Sequence, residues 1–374
     1  MIERHYDLEQ EIRPGKVLLL TGARQVGKTT LLRRFLEQTS LRYKLDSGDN
    51  IRMQDLLGSS DFDRILAYAE GYELIAIDEA QNIPDIGTAL KILVDECAGI
   101  QIIATGSASF ELSRQVGEPL TGRKRTCHLF PIAQKEMLHK FNLHELKNQL
   151  EGFLIYGAYP EVVTEPSASG KKELLIELVD SYLLKDILAL EKVKSPRTLL
   201  DLLKLLAFQL GNEVSLNELA RQLHIDVKTV ARYLDLLEKS YIILRSTGFS
   251  RNLRKEVTSK HRYYFVDNGI RNAVISRFNP ISERDDIGAL WENFMVVERH
   301  KFMTYSGQRI PLYFWRTYSQ QEIDWVEERD GGLFGYECKW STRKRVKPPR
   351  EWVEHYKNAE FMVVTPETGY ELIL

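Results

Sequence analysis

An apolar run from Val17 to Leu20 leads into Gly22, Ala23, Arg24, Gln25, Val26, Gly27, Lys28 and Thr29, and the helix-favouring stretch Thr30 to Gln38 follows at once. This order of strand, glycine-spaced loop and helix matches the eight-position phosphate-loop pattern, and it leaves few folds open. The two glycines let backbone N–H groups turn toward phosphate oxygens, and the helix that begins there adds the positive end of its dipole. In that frame Lys28 reaches the β and γ phosphates of ATP and Thr29 offers its hydroxyl to Mg²⁺, while Ala23 to Val26 and Thr30 line the same loop.

Two more strand ends fit around such a loop. Leu74 to Ile77 is apolar and ends in Asp78 and Glu79. There Asp78 would orient Mg²⁺ and Glu79 would position and deprotonate an attacking water, so hydrolysis is expected as well as binding. The third stretch, Gln101 to Ser107, ends in polar residues, of which Thr105 and Ser107 are both candidates for sensing the γ-phosphate, although a polar strand exit reads equally well. Arg123, in the run Leu120 to Arg125, is a candidate for an arginine supplied to a neighbouring subunit's γ-phosphate, with a structural salt bridge as the alternative.

At 374 residues the chain is long enough for two or three domains, at roughly 150 residues each. No apolar run approaches the ~20 residues of a membrane helix, so no membrane contact is expected, and a cytoplasmic location follows by default. Three scattered cysteines argue against a disulfide framework and against a zinc cluster. The net charge of −2 excludes an indiscriminate polycation. Basic residues nevertheless gather at Arg245, Arg251, Arg254, Lys255, Lys260 and Arg262, and again at Arg343, Lys344, Arg345, Lys347 and Arg350.

Alternating apolar runs and amphipathic stretches make residues 1–135 an α/β unit with a buried parallel sheet. Helical periodicity covers 136–197, broken at Tyr156 to Pro160 and at the small-residue stretch 165–170. Within 198–280, Ser215 and Glu218 form a capping box for one short helix, and Asp226 caps a second whose apolar face is expected to be Val227, Val230, Ala231, Leu234 and Leu237. With strands at 241–249 and 262–266 these predict a winged helix-turn-helix. Lys228, Thr229 and Arg232 would then face a DNA groove, and Arg251, Arg254 and Lys255 would meet phosphate at the wing tip. Such modules also contact proteins.

Residues 281–374 return to strands after one helix. A hairpin turning at Asp330-Gly331-Gly332 would put Asp324 on one strand and Glu337 and Lys339 on the next, all on one face. Paired carboxylates need a cation or a proton, and Mg²⁺ suits oxygen ligands, with Lys339 beside them to orient a water. A solvated face with a Glu–Lys pair is the other reading.

Taken together, Thr21 to Thr30, Ile77-Asp-Glu-Ala-Gln81, Ala104-Thr-Gly-Ser107, Leu120-Thr-Gly-Arg123, Phe130-Pro131, Gly157-Ala-Tyr-Pro160 and Trp291-Glu-Asn-Phe294 resemble the prokaryotic AAA-type ATPases that carry a C-terminal domain long labelled as uncharacterised. The closing Asp324 to Glu337-x-Lys339 pattern resembles the restriction-endonuclease-like nuclease core. That resemblance implies an α/β multidomain protein with a P-loop AAA-type core, a helical linker, a winged helix and a C-terminal α/β nuclease-like domain. It adds Glu292 to the metal ligands Asp324 and Glu337, and it implies a homo-oligomeric ring, a hexamer being one candidate size. The function expected is Mg²⁺-dependent ATP hydrolysis coupled to branched or end-bearing DNA, with DNA binding or cleavage by the last domain. The alternative is a nucleotide-gated switch or defence-type effector whose C-terminal domains contact a protein. Gly157-Ala158 departs from the family's more usual Gly-Gly.

Overall fold

The apolar runs of the N-terminal third become the middle of a sheet buried on both faces. The computed structural model describes residues 2–106, 120–183, 195–250, 260–341 and 346–374. Ser107, Arg251, Arg254, Lys255, Arg343, Lys344 and Arg345 lie outside the described residues. The chain divides into two units, one of Arg4–Phe130 with Lys239–Tyr241 and the other built chiefly of Pro131–Glu238 and Ile242–Leu374.

In the first unit β1 (Val17–Thr21), β2 (Tyr43–Ser47), β3 (Leu74–Asp78), β4 (Gln101–Gly106) and β5 (Lys124–His128) form a sheet in the order β2-β3-β4-β1-β5. Every pairing is parallel. All five residues of β1 are buried, as a sheet covered on both faces requires. One face carries Val17, Leu19, Ile75, Ile77, Ile102 and Ala104 into a core with Ile65, Leu90 and Leu93 from helices. Because β4 lies between β1 and β3, the loops leaving these three strands emerge side by side at one edge, where open parallel sheets bind ligands.

The second unit begins with short helices, among them Leu143–Asn148, Leu150–Tyr156 and Pro160–Thr164. The small-residue stretch is less of a break than expected, since Ser167 caps a helix that already runs over Ala168–Glu177. Gly157 has a φ of 70°, and a Cβ there would lie 1.9 Å from an Asp267 carboxylate oxygen. That carboxylate accepts the backbone N–H of Ala158 at 2.6 Å and also caps the helix Asn268–Val274, so the Gly157-Ala-Tyr-Pro motif is a docking corner.

The helix pair forms as expected, with Ser215 capping Leu216–Leu223 and Asp226 capping Val227–Lys239. Its second apolar face is rotated from the expected one. Val230, Tyr233, Leu234, Leu236 and Leu237 are buried, whereas Val227 and Ala231 are exposed, because the burying stripe follows i, i+3, i+4, i+7 from Val230. After it, β7 (Ile243–Gly248) and β8 (His261–Phe265) pair antiparallel, and the two-residue strand β6 (Glu213–Val214) flanks β8.

This small sheet does not stop at residue 280. β7 pairs in parallel with β9 (Tyr313–Arg316), which continues through β10 (Glu322–Arg329), β11 (Gly332–Cys338) and β12 (Ala359–Val364). Among the described residues, the seven strands run in the order β12-β11-β10-β9-β7-β8-β6. A single sheet thus crosses the boundary expected between 198–280 and 281–374. The β10–β11 hairpin turns at Asp330 and Gly331, both at positive φ as a two-residue turn demands. The long helix Ile287–Tyr305 lies against β8 and β11.

Candidate functional site

Local geometry explains each position of the glycine loop. A Cβ at Gly22 would sit 2.1 Å from the Leu129 carbonyl oxygen, and Gly27 has a φ of 95°, so neither place admits another residue without strain. Gln25 also takes positive φ, at 57°, and is exposed, while Ala23 and Val26 are buried and Arg24 is half-buried. Lys28 opens the helix Lys28–Gln38 and is buried, its ammonium donating to the carbonyls of Gly22 at 3.0 Å and Ala23 at 2.8 Å. Thr30 is exposed one residue beyond Thr29.

From β3, Asp78 accepts the Thr29 hydroxyl at 2.9 and 3.2 Å on its two oxygens. Thr105 at the end of β4 donates its hydroxyl to the same carboxylate and accepts the backbone N–H of Glu79 at 3.2 Å. Fully buried, Thr105 thus ties the two acidic positions together. Glu79 has a φ of 50°, which turns its side chain out of the strand path, and Gln81 donates to its carboxylate at 2.6 Å. Arg123 bonds Asp95 at 2.5 Å and is 43% exposed. Arg4, which no sequence pattern marks, donates to the carbonyl of Val26 and, at 2.6 Å, to that of Phe130, bracing the loop from behind. Gln81 closes the Ile77-Asp-Glu-Ala-Gln motif, but the sequence assigns it no role, and Arg4 carries no signal there.

A Mg²⁺ ion bound with nucleotide keeps several waters and needs few protein oxygens. The adjacent Thr29 hydroxyl and Asp78 carboxylate are such a pair, and Thr29 directly follows the buried Lys28 in the chain. The donor set fits.

In the second unit Lys228 and Arg232 are exposed on Val227–Lys239. Thr229 is engaged in capping, its hydroxyl donating to Asp226 at 2.6 Å, which leaves it less to offer a groove. Among the described basic residues, Arg245 pairs with Glu238, Lys260 with Glu213 and Arg262 with Glu322, so that concentration of charge is largely neutralised.

The register sets Trp325 opposite Tyr336, which brings Asp324 opposite Glu337. Asp324 accepts the backbone N–H of Cys338 at 2.8 Å, and Lys339 bonds Glu337 at 2.6 Å. Glu292, on the long helix, accepts the Tyr264 hydroxyl at 2.7 Å. Its neighbours Trp291 and Asn293 are structural: the indole N–H donates to the Val364 carbonyl, and Asn293 bridges Phe265 and Asn268. Burial first, and then Asp324, pushes the Glu337 carboxyl up to about 7 and the Glu292 carboxyl well above the carboxylate range. Burial raises Asp324 as well. Missed from the sequence is Arg262, 3% exposed, whose guanidinium reaches into this cluster.

Residues 14–138 match the family model described as AAA domain. Residues 147–281 and 287–372 match two models described as Domain of unknown function, DUF8612 and DUF4143. An uncharacterised protein of Mycobacterium tuberculosis is 28% identical over 342 residues, covering 91% of this chain and 74% of its own. One of Methanocaldococcus jannaschii is 24% identical over 393 residues, covering 98% and 86%. Among solved structures, replication initiator DnaA bound to AMPPCP and single-stranded DNA matches 60% of this chain and 82% of its own, at 16% identity and a TM-score of 0.29, too distant to bear on function. No helix among the described residues is long and apolar enough to cross a membrane. The phosphate loop, the parallel sheet and the AAA domain match fall on the same residues, and in these the N-terminal part of the chain is similar to P-loop domains of the AAA type.

Proposed function

We propose that the chain hydrolyses Mg²⁺-bound ATP at the loop 22–29 with Asp78, Glu79 and Thr105, and that turnover drives or gates work on branched or end-bearing DNA. The observation that carries the first part is the chain of contacts from Thr29 through Asp78 and Thr105 to the backbone of Glu79. On binding nucleotide, Lys28 exchanges the Gly22 and Ala23 carbonyls for β and γ phosphate oxygens. Thr29 and Asp78 would hold Mg²⁺, which would supply charge neutralisation at the phosphates. Glu79, oriented by Gln81, accepts a proton from the water that attacks the γ phosphorus, and the bond to the β-phosphate oxygen breaks to release ADP.

Arg123 serves a neighbouring subunit's γ-phosphate in a homo-oligomeric ring. Its pairing with Asp95 does not oppose this, because an exposed ion pair contributes only about 0–1 kcal/mol and exchanges readily. DNA contact rests on the exposed Lys228 and Arg232 on the second helix of the helix pair. Of the two readings of the C-terminal acids, a cleaving metal centre and a domain that does not cut, we favour the second, for the reason developed below.

ATP turnover measured in Mg²⁺ with single-stranded, duplex and four-way DNA tests the DNA reading. DNA should raise the rate. Turnover unchanged by all three would leave the ATPase standing and point to the other class, a nucleotide-gated switch with a protein partner.

A further inference from the structure

A divalent ion shared by Glu292, Asp324 and Glu337 needs carboxylate oxygens about 2.0–2.6 Å from one open point. The Arg262 guanidinium occupies the space beside two of the three, Glu292 and Asp324. Its Nη1 lies 3.8 Å from Glu292 Oε1 and 3.7 Å from Asp324 Oδ1, between the two carboxylates, and its Nη2 bonds Glu322 Oε2 at 2.8 Å. Each carboxylate is also committed elsewhere: Glu292 to the Tyr264 hydroxyl, Asp324 to the Cys338 N–H and Glu337 to Lys339. Among the described residues, no group of three or more His, Cys, Asp or Glu is arranged to hold a metal ion.

The arginine is built in rather than lying across the acids. Its backbone sits in β8, paired on both sides with Glu213 of β6 and Ser246 of β7. Its guanidinium stacks over the Phe314 ring, 4.6 Å from the centroid, on the way to β10. Gly211 also closes against Glu292, where a Cβ would meet Oε1 at 2.9 Å. A guanidinium does not lose its proton in a protein, so this charge is permanent, and removing it would leave buried carboxylates uncompensated.

We propose that Arg262 is the resident cation of the Glu292–Asp324 pair, standing where a divalent metal would have to bind, and that these acids take up no Mg²⁺ or Mn²⁺. The inference deepens the non-cutting reading of the C-terminal unit and is independent of ATP hydrolysis. A consequence is that the Glu337-x-Lys339 pattern here marks a structural ion cluster.

The test is Mn²⁺ binding by the full chain without nucleotide, read from the electron paramagnetic resonance signal of the free ion. Wild type and Asp324→Asn should bind the same amount of Mn²⁺, any weak occupancy at the phosphate loop being common to both. Wild-type uptake of one further equivalent that Asp324→Asn abolishes would overturn the proposal. Arg262→Gln, if folded by circular dichroism, should gain an Mn²⁺ site that the added Asp324→Asn removes; a folded Arg262→Gln without that gain would also overturn it. Should Arg262→Gln not fold, the comparison of wild type with Asp324→Asn decides alone. DNA-stimulated ATP turnover, measured on the same samples, reports separately on the proposed function.

Discussion

The Thr29 hydroxyl lies 2.9 Å from Asp78 Oδ2, joining the first helix after the loop to the end of a strand that is not adjacent to β1 in the sheet. Asp78 therefore serves two hydroxyls, those of Thr29 and Thr105, and its loss unties both. Asp78→Ala should lower ATP turnover by on the order of 10²–10³-fold, as removal of one preorganised polar group does, and should raise the Mg²⁺ concentration needed for the remainder. Phosphate release measured against Mg²⁺ concentration checks this. A rate within a few-fold of wild type at low Mg²⁺ would separate Asp78 from the metal.

Arg123 offers a test of assembly. An Arg123→Ala chain and a Glu79→Gln chain, each inactive, should regain turnover when mixed, because some interfaces in mixed rings combine an intact Arg123 with an intact Glu79. Arg123→Ala alone should lose about 10³–10⁵-fold if the arginine acts in trans. No rescue by mixing, with co-assembly shown by sedimentation, would leave Arg123 as the partner of Asp95 and nothing more.

Lys228 and Arg232 carry the DNA reading among the described residues. Replacing both with alanine should weaken binding to all DNA sequences alike and reduce the salt dependence, the log–log slope falling by roughly 1 for each phosphate that is no longer neutralised. Fluorescence anisotropy at several salt concentrations measures both quantities. Unchanged affinity and slope would direct the helix pair toward a protein partner.

Glu337 faces Lys339 just past the end of its own strand, Asp324 and Glu322 from β10 and Glu292 from the long helix, and its carboxyl is pushed up to about 7 from an ordinary 4.5, burial being the largest cause. Between those two values the folded chain holds a proton that the unfolded chain has released. The stability this supplies is complete below the unfolded value and is lost as pH rises through 7. Glu337→Gln cannot titrate, so its melting temperature relative to wild type should climb across that window. A difference independent of pH would show that Glu337 is ionised throughout.

The phosphate loop is legible in the sequence because its backbone demands glycine at two places and a lysine at one, and the demand is local. Helix caps at Ser215 and Asp226 and the turn at Asp330 and Gly331 are legible for the same reason. Strands β2 and β5 are not, since their residues are mostly exposed or half-buried and carry no apolar run. The joining of two expected domains through Thr247 and Tyr313 is a pairing between distant segments, which no local pattern encodes. Arg262 is hidden most deeply: beside Lys260 it reads as surface charge, and only the sheet order brings it to Glu322 and Asp324.

The most direct test of the central claim is ATP hydrolysis by Glu79→Gln beside wild type, with ATP binding measured on both. The amide keeps the shape of the side chain and its place beside Gln81, yet it cannot accept the proton of the attacking water. The account predicts that turnover falls by about 10²–10⁴-fold while ATP affinity in Mg²⁺ is retained. Wild-type turnover in Glu79→Gln, or a wild-type chain that binds no ATP, would contradict it.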